Sequence, residues 1–247
     1  KVAGARLAVF VGACALVLAP WLLFTTRVAG GPLLDTTSGM NVLLGNHAGA
    51  TGRLDMADDL PLRQAHVFGA ASEADANARA LRAGVAWAVN HPAASMRLAG
   101  AKLGYLFGLE GREHAWGYSA GYFGERRAAT VMAWGGLLIA SFPLLMAGAV
   151  LGLVRARGAW QPVHVALAAF VVATGALHVV SFGESRFHLP LVPVLAVAAS
   201  LGVGPVTSIG KGRLMLAGIV VAGLASAWVG QAPELLDALR ALRAPDG

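Results

Sequence analysis

Five stretches of this chain are too apolar and too long to be covered by anything but lipid. They run roughly over 7–26, 129–153, 163–182, 189–205 and 214–230. About 17–25 apolar residues suffice to cross a hydrocarbon core. With no water there, the backbone must satisfy its own hydrogen bonds, so each stretch reads as a helix. The composition agrees: 57% of the residues are hydrophobic and 13% charged, with a mean hydropathy of +0.64. A soluble domain carries about 25% charge. That balance excludes a soluble globular domain, and it excludes disorder, which needs the opposite. The expected fold class is an all-α polytopic membrane protein with about five transmembrane helices and a large helical extracytoplasmic loop. The run from Leu7 to Phe24 is longer than a signal-peptide core, and no small-x-small cleavage site closes it, so it reads as a span. The first residue is Lys1 rather than Met, and the chain is expected to be a piece of a longer protein.

Orientation follows from the short connections. Lys1 and Arg6 precede the first span, Arg155 and Arg157 separate the second and third, and Lys211 and Arg213 separate the fourth and fifth. The positive-inside rule assigns all three groups to the cytoplasm. Four regions result: a transmembrane helix at 1–26, an extracytoplasmic loop at 27–128, four transmembrane helices over 129–230, and an extracytoplasmic tail at 231–247. The turn 183–188 falls on the same outer face as the loop. Pro190 and Pro193 sit in the first turn of the fourth span, where proline is tolerated, and Gly204-Pro205 ends it. Within the loop, 27–70 reads as irregular and 72–108 as two helices. Ser72 with Asp75 fits a capping box. Ala74, Ala78, Leu81, Val85 and Ala88 recur at helical spacing, opposite Glu73, Asn77, Arg79 and Arg82. Asn90-His91-Pro92 interrupts the pattern, and Ala93–Phe107 resumes it with Met96, Ala99, Leu103 and Leu106 on one side. The apolar faces of these helices lie either on the membrane surface or on a small core within the loop.

Several chemistries are absent from the pattern. One cysteine, Cys14, allows no disulfide framework and no multi-cysteine metal site. The net charge of +6 comes from scattered Lys and Arg without an aromatic-rich basic stripe, so no nucleic-acid partner is expected. The histidines have no metal-ligand spacing, and no G-x-S-x-G elbow occurs. Asp55, Asp58 and Asp59 read as a solvated turn. Trp87, Trp116, Trp134, Trp160 and Trp228 fall near span boundaries, as in an aromatic belt.

Three constellations remain. Residues 35–52 pack Gly39, Gly45, Gly49 and Gly52 among Asn41, Asn46 and His47. Such a loop is either a plain turn-rich surface or one that turns backbone N–H groups on an anion or a sugar. The six residues between the third and fourth spans include Glu184, Arg186 and His188. Ionisable groups at membrane depth are costly, and are either paired or functional. Arg186 offers a fork suited to phosphate; Glu184 either pairs with it or acts on a proton. Lys102 lies on an apolar strip with Leu98 and Leu106, where it either snorkels to headgroups or contacts a phosphate.

Taken in order, these pieces resemble a known pattern. Pro20-Trp21 ends a span and Arg27 lies just outside it. Thr37-Ser38-Gly39-Met40-Asn41 follows, then Leu44-Gly45-Asn46 with Gly49-Ala50-Thr51-Gly52, then a helical loop with His91-Pro92 and Lys102. Glu184-Ser185-Arg186-Phe187-His188-Leu189-Pro190 comes last. Over roughly 18–200 this is similar to the C-terminal half of bacterial GT-C glycosyltransferases, the polytopic enzymes that include protein mannosyltransferases and lipid A aminoarabinose transferases. The resemblance implies transfer of a sugar from a polyprenyl-phosphate donor to a glycan, lipid or protein acceptor, at the outer face of the bacterial inner membrane. It implies Arg186, Lys102 and Arg27 as phosphate-side residues, and Asn41 and Asn46 as residues that order the loop or touch sugar. Glu184 is the candidate catalytic group and His188 a further substrate-binding candidate. The family's acidic loop, which acts as base or binds metal, would precede Lys1. No cofactor is therefore expected within this chain, any divalent metal would belong to the preceding part, and the piece alone is expected to be inactive. Two other classes compete: a transporter or flippase segment, which would line a pathway with mid-span polar groups, and a non-catalytic assembly subunit.

Overall fold

A computed structural model describes residues 2–55, 59–109, 111, 117, 122, 124, 128–155, 162–201 and 209–241. Lys1, Asp58, Trp116, Arg157, Trp160 and the Gly204-Pro205 stop lie outside the described residues. Every regular element among the described residues is helical. In chain order these are α1 (Val2–Ala29), α2 (Ser38–Gly45), α3 (Leu60–Gln64), a 3₁₀ turn at Val67–Gly69, α4 (Glu73–Asn90), α5 (Pro92–Leu106), α6 (Ala128–Arg155), α7 (Pro162–Val180), a second 3₁₀ turn η2 (Ser185–Leu191), α8 (Val192–Ser200) and α9 (Lys211–Ala241). Three helices are long and apolar enough to cross a membrane: Gly4–Ala29, Ala133–Arg155 and Lys211–Pro233. The expected third and fourth spans form shorter apolar helices, His164–Val180 and Ser185–Ser200. Pro190 and Pro193 are the reason for the second shortening: they divide the segment into the 3₁₀ turn and a nine-residue helix. At the C-terminal end α9 continues through Ala241, so much of the expected tail is helix.

The chain divides into two compact units. The first comprises residues 1–99 with 180–182, and the second 100–179 with 183–247.

In the first unit α1 exposes most of its apolar side chains, as a lipid-facing helix does. Gly30, at φ +81, ends it in the left-handed conformation that favours glycine. The chain then folds back: Trp21 Nε1 donates to the Leu34 carbonyl at 3.1 Å, and the Leu33 N–H donates to Thr25 Oγ1 at 3.1 Å. Residues 38–45, expected as irregular loop, form α2. Its own N-cap residue, Thr37, makes no side-chain cap bond. Asn77 of α4 does so instead: its Oδ1 accepts from the Gly39 N–H at 2.6 Å and from Ser38 Oγ at 3.3 Å.

The apolar stripe of α4, for which a membrane surface and a core within the loop were both open, is not the face that packs within this unit. Asn77, Ala80 and Gly84, at helical spacing, are the buried stripe, while Leu81, Val85 and Val89 are 42%, 46% and 72% exposed. Small residues win because α2 crosses so closely: a side chain at Gly39 would collide with the Asn77 carbonyl, and one at Gly84 would meet the backbone of Leu43. Leu43, Val67 and Ala80 form the centre of this core. The helix start and the break are as expected. The Asp75 N–H donates to Ser72 Oγ at 3.1 Å, and α4 ends at Asn90 before Pro92 opens α5. Asp75 also accepts from the Ala71 N–H and pairs with Arg79 at 2.6 Å; these bonds hold its carboxyl below the ordinary value.

In the second unit Phe142, Met146 and Ala149 of α6 form a core with Leu191 and Leu195, joined by Val171 of α7 and by Leu224 and Trp228 of α9. Helix α6 packs along both α8 and α9.

Replacing Asn77 with Ala leaves a buried N–H of α2 without its acceptor, which costs about 1–3 kcal/mol. Thermal unfolding in detergent should show a clear loss of stability for Asn77→Ala and little change for Arg82→Ala, whose side chain is exposed. Faster amide exchange at Gly39 in the Asn77 variant would locate the loss.

Candidate functional site

The turn after α7 carries three ionisable residues, Glu184, Arg186 and His188, and its helix type decides which way the last two point. A 3₁₀ helix has three residues per turn, so positions i and i+3 eclipse. Ser185, His188 and Leu191 accordingly share the buried face, while Arg186 and Leu189 are exposed. Glu184, in extended conformation just before the turn, is buried. Glu184 and Arg186 do not pair with each other; one faces inward and the other outward.

His188 is 1% exposed. Its ring stacks on Phe142 of α6 with centroids 3.4 Å apart and planes within 2°. Its Nδ1 lies 2.9 Å from the Leu106 carbonyl. A carbonyl only accepts, so Nδ1 carries the proton and donates. This bond serves the C-terminal end of α5, where the last four carbonyls of a helix lack intrahelical donors. The same helix end receives two more donors from α9. Gln231 Nε2 donates to the Gly104 carbonyl at 2.9 Å, and Trp228 Nε1 donates to the Phe107 carbonyl at 2.7 Å. Trp228 thus does more than mark a boundary.

Lys102 is also 1% exposed, which excludes the headgroup-facing position that an amphipathic strip suggests. Nζ donates to the Val179 carbonyl at 2.9 Å. A cation near the C-terminus of a helix, here α7, is favoured by the helix dipole. Burial nevertheless pushes the ammonium down to about 8 from its ordinary 10.5. Gly183 lies directly against the Lys102 backbone carbonyl, where any side chain would collide. That contact brings the turn down onto α5.

Arg186 keeps its guanidinium 5.2 Å above the Phe187 ring. Phe187 in turn stacks on His178 of α7, 4.6 Å between centroids and 15° between planes. The result is an exposed guanidinium on an aromatic support, an arrangement able to receive a phosphate oxygen pair.

In the first unit Arg27 is exposed on the last turn of α1. Asn41 is half-buried within α2. Asn46 is buried, and its Nδ2 donates to the Val42 and Val180 carbonyls, both at 2.7 Å. The glycine-rich segment therefore presents few open N–H groups: residues 38–45 spend theirs in a helix, and Gly45 packs flat on the Ser181 carbonyl. Asp59 forms an ion pair with Arg63 at 2.5 Å, as a solvated turn residue does, and that bond holds its carboxyl low. Asn77 is the residue that the sequence pattern misplaced; an Asn within an alanine-rich stripe was its only signal. Among the described residues no His, Cys, Asp and Glu gather into a group able to hold a metal.

No family model, curated protein or solved structure matches this chain.

The lowered Lys102 value has a definite sign. Between about pH 8 and 10.5 the unfolded chain binds a proton at Lys102 that the folded chain does not, so stability rises with pH across that window and is flat below it. Unfolding temperatures measured from pH 7 to 10.5 should show this rise in the wild type and lose it in Lys102→Met. An unchanged profile in the variant would sever the pH dependence from Lys102.

Proposed function

We propose that the chain is the C-terminal portion of a membrane glycosyltransferase of GT-C type. It transfers a sugar from a polyprenyl-phosphate donor to an envelope glycan, lipid or protein at the outer face of a bacterial cytoplasmic membrane. The observation that carries this reading is the outward guanidinium of Arg186, on a turn whose other polar side chains are buried. The E-x-R-F-x-x-P pattern falls on that turn.

The chemistry fits such a group. Breaking the bond between an anomeric carbon and a lipid phosphate develops negative charge on the departing phosphate. A preorganised cation in a partly desolvated place stabilises that charge. Arg186 stands beside exposed Leu189, as suits a leaving group with a polyprenyl tail. Lys102 and His188 act from beneath by holding helix ends, and Glu184, buried just before the turn, is the candidate group for a proton. Arg27 is a second exposed cation in the first unit. Exposed Leu81, Val85 and Val89 on α4, with Met96 on α5, favour a loop whose apolar face rests on the lipid surface.

Five crossings belong to the same proposal. In the second unit Lys102 bonds to the C-terminal end of α7, and Gly104 and Phe107 accept from Gln231 and Trp228 in the second half of α9, while the N-terminal end of α9 meets the C-terminal end of α6 through Arg213 and the Val154 carbonyl. Helix ends sorted this way support alternation across a bilayer, with α7 and the η2–α8 segment as short spans.

The test is sugar transfer by the full-length parent protein in membranes, supplied with polyprenyl-phosphate sugars. Arg186→Ala should lower the rate by about 10²–10³ at unchanged expression, the usual effect of losing one charge-stabilising donor. Transfer that survives the substitution would leave Arg186 a structural residue. No transfer with any donor would overturn the enzyme reading in favour of a non-catalytic subunit or a transporter segment.

A further inference from the structure

At the other end of the second unit, α6 finishes at Arg155 and α9 begins at Lys211. Between these two ends lies a cleft of about 380 Å³ lined by Arg155, Lys211 and Arg213. We infer that this cleft binds the anionic phosphate headgroup of a membrane phospholipid.

Charge, position and shape each contribute. Three cationic side chains line the cleft. From Ala128 to Pro233 the only acidic residue is Glu184. Glu184 stands four residues before His188, which stacks on Phe142. Arg155 lies thirteen residues further along α6, about 20 Å away at 1.5 Å per residue. That separation is far beyond the roughly 4 Å of an ion pair, so Glu184 does not pair with Arg155. Its volume falls within the range of small-ligand pockets, about 300–1,000 Å³. The Arg213 guanidinium donates to the Val154 carbonyl at 3.3 Å, which ties the two walls together.

Position selects a lipid rather than a soluble anion. Both helices are membrane-length, and each turns charged where its apolar body stops, which is the level of headgroup phosphates. Leu153, Leu214 and Met215, 52%, 39% and 68% exposed, flank the cations and offer an apolar track for acyl chains. Basic pockets between transmembrane helices on the side marked by positive residues are suited to acidic headgroups. This inference stands apart from the glycosyltransferase reading, because it uses none of the residues of the turn.

The experiment is native mass spectrometry of the full chain in neutral detergent, with phosphatidylglycerol and phosphatidylcholine added in equal amounts. The wild type should retain the anionic lipid at least tenfold over the zwitterionic one, less so as salt is raised. Lys211→Gln/Arg213→Gln should abolish the preference, while Arg97→Gln, an exposed cation of α5 outside the cleft, should keep it. If the double variant fails to fold, Lys211→Gln alone must lower the preference about fivefold, since a single cation near a membrane surface contributes on that scale. Equal retention of both lipids by the wild type, or a preference that survives loss of Lys211, overturns the inference. Displacement of the bound lipid by equimolar glycerol phosphate or inorganic phosphate also overturns it, because the occupant would then be a soluble phosphate.

Discussion

A helix that ends away from water leaves backbone groups that only the protein can satisfy, and this requirement decides where most of the polar side chains go. In the first unit Asn77 supplies the acceptor for the start of α2, and Asn46 supplies donors at its close. In the second unit His188, Trp228 and Gln231 serve the end of α5, and Lys102 serves the end of α7. An unmet buried carbonyl or N–H costs about 1–3 kcal/mol, a large share of the roughly 5–15 kcal/mol by which a domain is stable. Short helices with many ends therefore need many such side chains, and a chain that is only 13% charged meets the need chiefly with amides, ring N–H groups and one lysine.

The same demand separates structural from ligand-facing residues. Among the residues that carry the GT-C resemblance, those that face inward hold backbone: Asn46, Lys102 and His188. Those that face outward, Arg27 and Arg186, are exposed. The two kinds depend on each other, because Arg186 points outward only while Ser185, His188 and Leu191 fill the inner face of the 3₁₀ turn. A buried lysine carries such a cost: its contact with the end of α7 is favourable, while its lost hydration is not.

Legibility from sequence varied with how local the determining force was. The capping box at Ser72 and Asp75, the break at Pro92, and the ends of α1 and α6 were readable, because neighbouring residues and hydrophobic length set them. The facing of α4 was not. Periodicity grouped Leu81 and Val85 on one face and Asn77 on the opposite one without deciding which face packs within the loop; the close crossing of α2 selected Asn77, Ala80 and Gly84. The glycines at 39 and 45 were open to two readings, a turn-rich surface or an anion loop, and are instead contact points for backbone. In each case the deciding neighbour is distant in sequence: Asn77 for Gly39, Ser181 for Gly45.

What the sequence determined by itself is the class of environment: an all-helical chain whose long apolar stretches, nearly free of charge, require lipid. Hydropathy and charge are sums over neighbouring residues, so no tertiary information is needed to read them. The tertiary structure alone decided which ionisable groups are available to a ligand. Lys102 and Arg186 are both cations beside apolar residues in the sequence. One is buried on the end of α7 and the other stands in the open, because helix ends that meet in space, far apart along the chain, set the demand for donors.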